Sequence, residues 1–177
     1  KIGKLQYIYS NRLNLGQVRM EENVFWSLAP HDISVFQYFT NSFPTSIHAS
    51  GSAFLQEGIH DSTLTQLKYP SGVEGHIFVS WLHPFKEHRL IVIGTEAMIT
   101  FEDSSEGKPL KLYAKKIDME KDIPEKIDGP VTLIDYEQKM ALTEELQYFV
   151  SHLDGKKPNI ANGKHALEVT KILIIAN

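Results

Sequence analysis

The chain of 177 residues contains no cysteine, which excludes disulfides and thiolate-ligated metals. No apolar run is long enough to span a membrane as a helix, and the longest, near the C-terminus, is interrupted by Lys171. There is no basic excess either. Lys and Arg number 18 against 22 Asp and Glu, a net charge of −4 spread along the chain. Nothing of this kind tracks a phosphate backbone, so neither nucleic acid nor a membrane is an expected partner. Among 11 glycines no Gly-x-Gly-x-x-Gly occurs, so the chain has no dinucleotide fingerprint. A Gly-x-Ser-x-Gly elbow and a His-Glu-x-x-His helix are also missing. Eight histidines include His83 and His88 near Glu87, but ligand types spaced so loosely do not define a zinc site. A metal-dependent hydrolase is thereby set aside, and no metal is expected.

What remains is material for one packed domain over residues 1–177, with 42% hydrophobic and 23% charged side chains. The chain opens on Lys1 and passes directly into a strand pattern, which points to a piece of a longer polypeptide. Residues 4–14 alternate, with Leu5, Tyr7, Tyr9 and Leu13 expected on the buried side and Ser10, Arg12 and Asn14 on the polar side. Over 27–39 the period becomes helical, with Ser27 as a possible N-cap and Pro30 expected in the first turn. Residues 63–69 and 75–82 flank Pro70-Ser71-Gly72 and predict a hairpin; 90–93 and 97–101 flank Gly94 and predict another. A strand is expected over 110–117 and a solvated loop over 118–130. Two amphipathic helices follow. The first carries Leu142, Leu146, Phe149, Val150 and Leu153 with Gly155 as C-cap, and the second carries Ala166, Val169, Leu173 and Ala176. This order predicts an α+β fold: an open, mostly antiparallel β-sheet with helices packed on one face.

Residue types suited to substrate chemistry concentrate between Arg12 and Asp32. Arg12 and Asn14 share a strand face, and Arg19 follows in the linker. An arginine fork suits a carboxylate or phosphate, and an asparagine can both donate to and accept from sugar hydroxyls. His31, placed at the start of the helix, would be kept neutral by the helix dipole and could take a hydroxyl proton, although Asp32 opposes this. Equally, His31 could be a surface or capping residue, and Arg12 could pair with Glu21 or Glu22.

The runs Arg12-Leu13-Asn14-Leu15-Gly16 and Trp26-Ser27-Leu28-Ala29-Pro30-His31-Asp32 resemble the opening of the C-terminal domain of Gfo/Idh/MocA oxidoreductases. Ser80-Trp81-Leu82-His83-Pro84-Phe85-Lys86, Ile93-Gly94-Thr95-Glu96-Ala97 and the two closing helices are similar to the same family. The resemblance covers essentially the whole chain. It implies a domain like the C-terminal domain of glyceraldehyde-3-phosphate dehydrogenase, in a cytoplasmic enzyme whose N-terminal Rossmann domain, absent here, binds NAD or NADP. No cofactor is therefore expected on this chain. The partners it implies are a small-molecule sugar or nucleotide sugar and further copies of the chain, joined through the open sheet face.

The family's Asp-x-x-x-His motif places its histidine on His31 and its aspartate on Ser27. Serine can hydrogen-bond the imidazole but cannot offset its charge. That substitution resembles the nucleotide-sugar branch, typified by UDP-N-acetylglucosamine 3-dehydrogenases. The family's Glu-Lys-Pro lysine has no counterpart, since Gly107-Lys108-Pro109 is only a look-alike. His31 is thus the implied catalytic residue, with Arg12, Asn14, Arg19, Ser27, Trp81 and Lys86 as substrate-side positions. The alternative is a non-catalytic sugar-binding or assembly domain of the same fold.

Overall fold

The computed structural model describes residues 1–119 and 123–177. In these, eight strands build one sheet: β1 (Leu5–Leu13), β2 (Ser46–Ser52), β3 (Ser62–Lys68), β4 (Glu74–Ser80), β5 (Glu87–Gly94), β6 (Met98–Glu102), β7 (Leu110–Asp118) and β8 (Glu125–Leu133). Their order is β2-β3-β4-β1-β5-β6-β7-β8. Every neighbouring pair is antiparallel except β1 with β4, which is parallel. Helix α1 (Val24–Thr40) follows β1; α2 (Ala141–Val150) and α3 (Gly163–Ile175) close the chain. The expected open, mostly antiparallel sheet with helices on one face is what forms. None of the described helices is long and apolar enough to cross a membrane.

Both predicted hairpins are present. The β3–β4 turn is closed by Tyr69 N–H to Val73 O and Gly72 N–H to Tyr69 O, each at 2.9 Å. Gly72 has φ +84° there, a left-handed conformation that costs glycine nothing. A second glycine sets the helix–sheet spacing. A Cβ at Gly75 would fall 2.3 Å from the Ile8 carbonyl oxygen and 2.9 Å from the Phe36 ring. Its absence lets α1 close onto β1 and β4. The core there comprises Ile8, Phe25, Ile33, Phe36, Ile77 and Val79, all 1% exposed or less.

Two expectations are corrected. The period of β1 holds and Leu13 is buried as expected, but further back along the strand the faces are exchanged: Ile8 and Ser10 are fully buried beneath α1, while Tyr7 and Tyr9 lie on the half-covered opposite face. Tyrosine and isoleucine both count as apolar, so alternation alone does not say which set faces a helix. The predicted loop 118–130 is partly strand, since β8 occupies its second half. Pro130 is tolerated because the pairing of β8 with β7 shifts register between Asp128 and Val131, which leaves Pro130 in a bulge of an edge strand where no ladder bond is lost. Asp122, also assigned to that loop, lies outside the described residues.

α3 packs on α1 through Ile172 and Leu173. The apolar side chains of the α2 region are exposed; Leu142, Leu146, Phe149, Val150 and Leu153 each show more than half their area. What ties α2 down is Tyr148, whose hydroxyl accepts from Asn159 N–H at 2.9 Å and Ile160 N–H at 3.3 Å. Its C-cap is Ser151, and Gly155 instead takes φ +87° in the turn beyond.

Asp61, fully buried, holds the loop between β2 and β3. It accepts from Trp81 Nε1 at 2.7 Å, Phe54 N–H at 2.6 Å and Leu55 N–H at 2.9 Å. Burial raises its pKa, but these three donors and nearby His60 outweigh that and leave it below the ordinary 3.8. A carboxyl lowered in the folded state contributes stability above the ordinary carboxylate range, and that stability is lost as pH falls through the lowered value. Asp61→Asn is expected to lose about 2 kcal/mol at neutral pH, because the amide brings a donor to face donors. Urea titrations across the acid range should also show a shallower pH dependence for the variant; identical curves would refute the assignment.

Candidate functional site

Asn23 starts α1. Its Oδ1 accepts from Phe25 N–H and Trp26 N–H, both at 3.1 Å, and its Nδ2 donates to Asn177 Oδ1 at 2.7 Å. Asparagine is a strong N-cap because its side-chain oxygen satisfies amides of the first turn. The helix therefore begins one turn earlier than expected, and Ser27 lies within it rather than capping it. Pro30 is interior, the seventh helical residue. Its ring removes the amide that would otherwise bond Trp26 O. His31 is consequently mid-helix, and the dipole argument for a neutral imidazole falls, because that field is confined to the terminal turn.

The sheet-facing stripe of α1 carries Val24, Phe25, Ala29, Ile33 and Phe36, and within it one charge, Asp32. A buried carboxylate needs a partner. Arg12 of β1 supplies it, with Nε 2.7 Å from Asp32 Oδ2 and Nη2 3.3 Å from Oδ1. Side-chain exposures of 20% and 8% keep water from screening the pair. The network continues across the sheet. Arg12 Nη1 lies 3.4 Å from His88 Nδ1, which is 3.9 Å from Asp103 Oδ2, and Asp103 Oδ1 pairs with Lys108 Nζ at 2.7 Å. Burial, then the charges of Arg12 and Lys86, push the His88 pKa down, against a smaller upward pull from Asp103 and Asp32. A bare Nδ1 suits this place, since a guanidinium N–H can only donate. The Lys108 hydrogen bond is the main influence holding Asp103 below its ordinary value.

On the opposite side of α1, His31 is exposed. Ser27, four residues earlier and half-buried, shares its face. Among the described residues no hydrogen bond joins the Ser27 hydroxyl to the imidazole; the Ser27 amide donates to Asn23 O at 3.1 Å.

The loops after β1, before β3 and after β4 gather at the end of the sheet where α1 begins. Asn14 N–H donates to Ser80 O at 3.0 Å, Gln56 Nε2 to Arg19 O at 2.9 Å, and Val24 N–H to His60 O at 3.0 Å. Asn14, exposed Arg19 and exposed Lys86 thus converge on one loop cluster. His31 stands roughly 10 Å farther along α1, at 1.5 Å per residue.

Two sequence-predicted positions serve differently. The Arg12 fork, assigned to an acidic substituent of the substrate, is occupied by Asp32. Trp81 is 2% exposed with its only donor on Asp61, which makes it a core residue. Asp32 as a clamp, together with His88, Asp103 and Asp61, was missed from sequence. For Asp32 a signal existed: a charge in phase with Phe25, Ala29 and Phe36 on an otherwise apolar stripe.

The described residues offer no cradle for a dinucleotide. The one parallel pair, β1 and β4, is linked through α1, β2 and β3 rather than by a glycine-rich turn opening a helix. No group of three or more His, Asp or Glu among them could hold a metal ion.

The family profile described as the GFO/IDH/MocA C-terminal domain matches residues 5–100, more than half of the chain. The chain belongs to this family. No curated relative matches it in sequence. Among solved structures, UDP-N-acetylglucosamine 3-dehydrogenase GnnA from Acidithiobacillus ferrooxidans superposes with a TM-score of 0.81 at 17% identity, over 98% of this chain and 54% of that one. Aldose-aldose oxidoreductase from Caulobacter crescentus gives 0.78 at 14%, over 99% and 53%. Levoglucosan dehydrogenase in complex with NADH and L-sorbose gives 0.70 at 13%, over 98% and 55%. At such identities the likeness establishes the fold. The chain spans about half the length of these structures.

Proposed function

We propose that this domain is the substrate-side and assembly half of a cytoplasmic NAD(P)-dependent dehydrogenase that acts on a sugar or nucleotide sugar by hydride transfer. The observation that carries the proposal is His31. It is an exposed imidazole on the outer face of a helix whose inner face is locked to the sheet by Arg12 and Asp32. Such an imidazole can take the proton from a sugar hydroxyl as its carbon is oxidised. Ser27 on the same helical face can orient that hydroxyl, and Asn14, Arg19 and Lys86 are left to bind the rest of the substrate. The dinucleotide would be held by polypeptide outside the described residues. Sugar chemistry is supported by the names of the structural relatives, a nucleotide-sugar dehydrogenase, an aldose oxidoreductase and a levoglucosan dehydrogenase.

The test is a turnover assay on this domain joined to a nucleotide-binding domain of its family, with UDP-N-acetylglucosamine and free aldoses, following reduction of NAD+ and NADP+. Failure with every sugar would sink the catalytic reading. It would favour the second one, a non-catalytic sugar-binding or assembly domain, which Ser27 in place of a carboxylate recommends.

We further propose self-association through the open face. There Tyr7 and His76 share a hydrogen bond of 2.9 Å between the Tyr7 hydroxyl and His76 Nδ1, and the Tyr9 ring stacks on His76 at 4.9 Å and 13°. A half-covered aromatic cluster of this kind gains by burial against a second copy. Light scattering should show at least a dimer, reduced by Tyr9→Lys; a monomeric mass at high concentration would refute it.

A further inference from the structure

The Arg12–Asp32 clamp ends on a histidine that stands between two unlike partners. His88 lies opposite Arg12 in the β1–β5 register, and residues directly opposite one another share a face of the sheet. Its Nδ1 is 3.4 Å from Arg12 Nη1 and 3.9 Å from Asp103 Oδ2. A guanidinium can only donate, and an ionised carboxylate can only accept. One nitrogen therefore cannot serve both in the same protonation state. Bare, it accepts from Arg12. Carrying a proton, it turns a donor toward a donor and suits only Asp103.

The loop between β6 and β7 is fastened so that this carboxylate stays beside the ring. Asp103 N–H donates to His88 O at 2.8 Å, and His88 N–H donates to Ser104 Oγ at 2.9 Å. Lys108 Nζ holds the other carboxylate oxygen at 2.7 Å. Its hydrogen bond is the first cause that keeps Asp103 below the ordinary 3.8, so Asp103 is ionised wherever an imidazole titrates.

We propose that His88 is an acid-operated catch on α1. Neutral, it completes the Arg12–Asp32 clamp; protonated, it releases Arg12, pairs with Asp103 and loosens the hold of the sheet on the helix. The side chains involved are sheltered, at 20% exposure for Arg12, 19% for His88 and 8% for Asp32, so solvent screens the exchange only weakly.

Charged groups face the ring from every element around it: Arg12 on β1, Asp32 on α1, Asp103 on the β6–β7 loop with Lys108 behind it, and Lys86 just ahead of β5. Burial first, then the cations Arg12 and Lys86, outweigh the two carboxylates and lower the imidazole from its ordinary 6.5. As pH falls below that value, the unfolded chain binds the proton more readily than the folded one. Stability contributed by the neutral ring is thus complete above the ordinary value and is lost as pH falls from there through the lowered one. The catch needs no substrate and does not rest on the proposed reaction.

The experiment follows the isotope-labelled 177-residue chain by NMR from about pH 8 to about pH 5, the span in which histidine changes charge. The His88 ring should titrate below 6.5, and the Arg12 Nε–H resonance should move with the same midpoint. Hydrogen-exchange protection factors of the α1 amides should fall over the same span. The fall should reach up to about tenfold for each pH unit that separates His88 from an ordinary imidazole. His88→Gln keeps an acceptor for Arg12 but cannot take a proton, so its α1 protection should stay level. His31 and His76 persist in that variant, so a fall that survives it belongs to them and overturns the proposal. Asp103→Asn removes the carboxylate that receives the protonated ring and should lower the midpoint further; an unchanged midpoint would count against the exchange of partners. A parent His88 that titrates at 6.5 or above, or an Arg12 resonance that ignores the titration, would also end the proposal. These last two readings need no variant, so they decide even where a substitution prevents folding.

Discussion

Replacing His31 with asparagine is expected to cut kcat by about 10²–10⁴ in the turnover assay that tests the proposed reaction. Asparagine keeps a hydrogen bond to a sugar hydroxyl but cannot carry its proton away. The loss should therefore fall on kcat, with KM little changed. His31 is exposed and carries none of the packing that holds α1, so the variant should fold as the parent does, which unchanged thermal unfolding would verify. A raised KM with unchanged kcat would make His31 a substrate anchor. A variant indistinguishable from the parent in both constants would remove it from the site.

The second large effect concerns stability. Asp32→Asn is expected to lose about 3–5 kcal/mol, because it leaves the mostly buried Arg12 charge without its carboxylate. Rotation of Arg12 gives no easy relief, since its remaining nitrogen already meets His88, whose basicity is depressed first by burial and then by that neighbour. Changing both partners, Arg12→Met with Asp32→Leu, should cost much less than either alone, because no ion then remains to be desolvated. Urea unfolding of the two single variants and the double variant closes the cycle, and additive losses would show that the pair acts as two separate residues. The same series bears on the site. Asp32 immediately follows His31 on α1, so loosening it should also blur the position from which the imidazole is proposed to work.

How much of this was legible in the sequence depended on whether a local signal had a single structural meaning. Pro70-Ser71-Gly72 had one, and the β3–β4 hairpin formed where it was placed. Gly94 marked the β5–β6 turn equally well. Pro30 had two meanings. A proline in the first turn is common and favours a helix start at Ser27, although Asn23 is the cap that the amides use. Pro130 likewise suggested a loop, because nothing local tells an edge strand from a turn. The face of β1 was ambiguous for another reason: which side meets α1 depends on Gly75 and Phe36, far away in sequence. Of the proposed site, the family resemblance points to His31, but the Arg12–Asp32 clamp is a contact across 20 residues that only the folded chain brings together.

β1 splices two antiparallel meanders, β2-β3-β4 on one side and β5-β6-β7-β8 on the other. It presents the guanidinium that secures α1 on one surface and the two tyrosines of the half-covered aromatic group on the other. Because side chains alternate, a slip of this strand by a single residue would deliver the tyrosines to the helix and turn the guanidinium outward. Helix attachment and the proposed subunit contact therefore share one alignment, and a slip of register would disturb both at once.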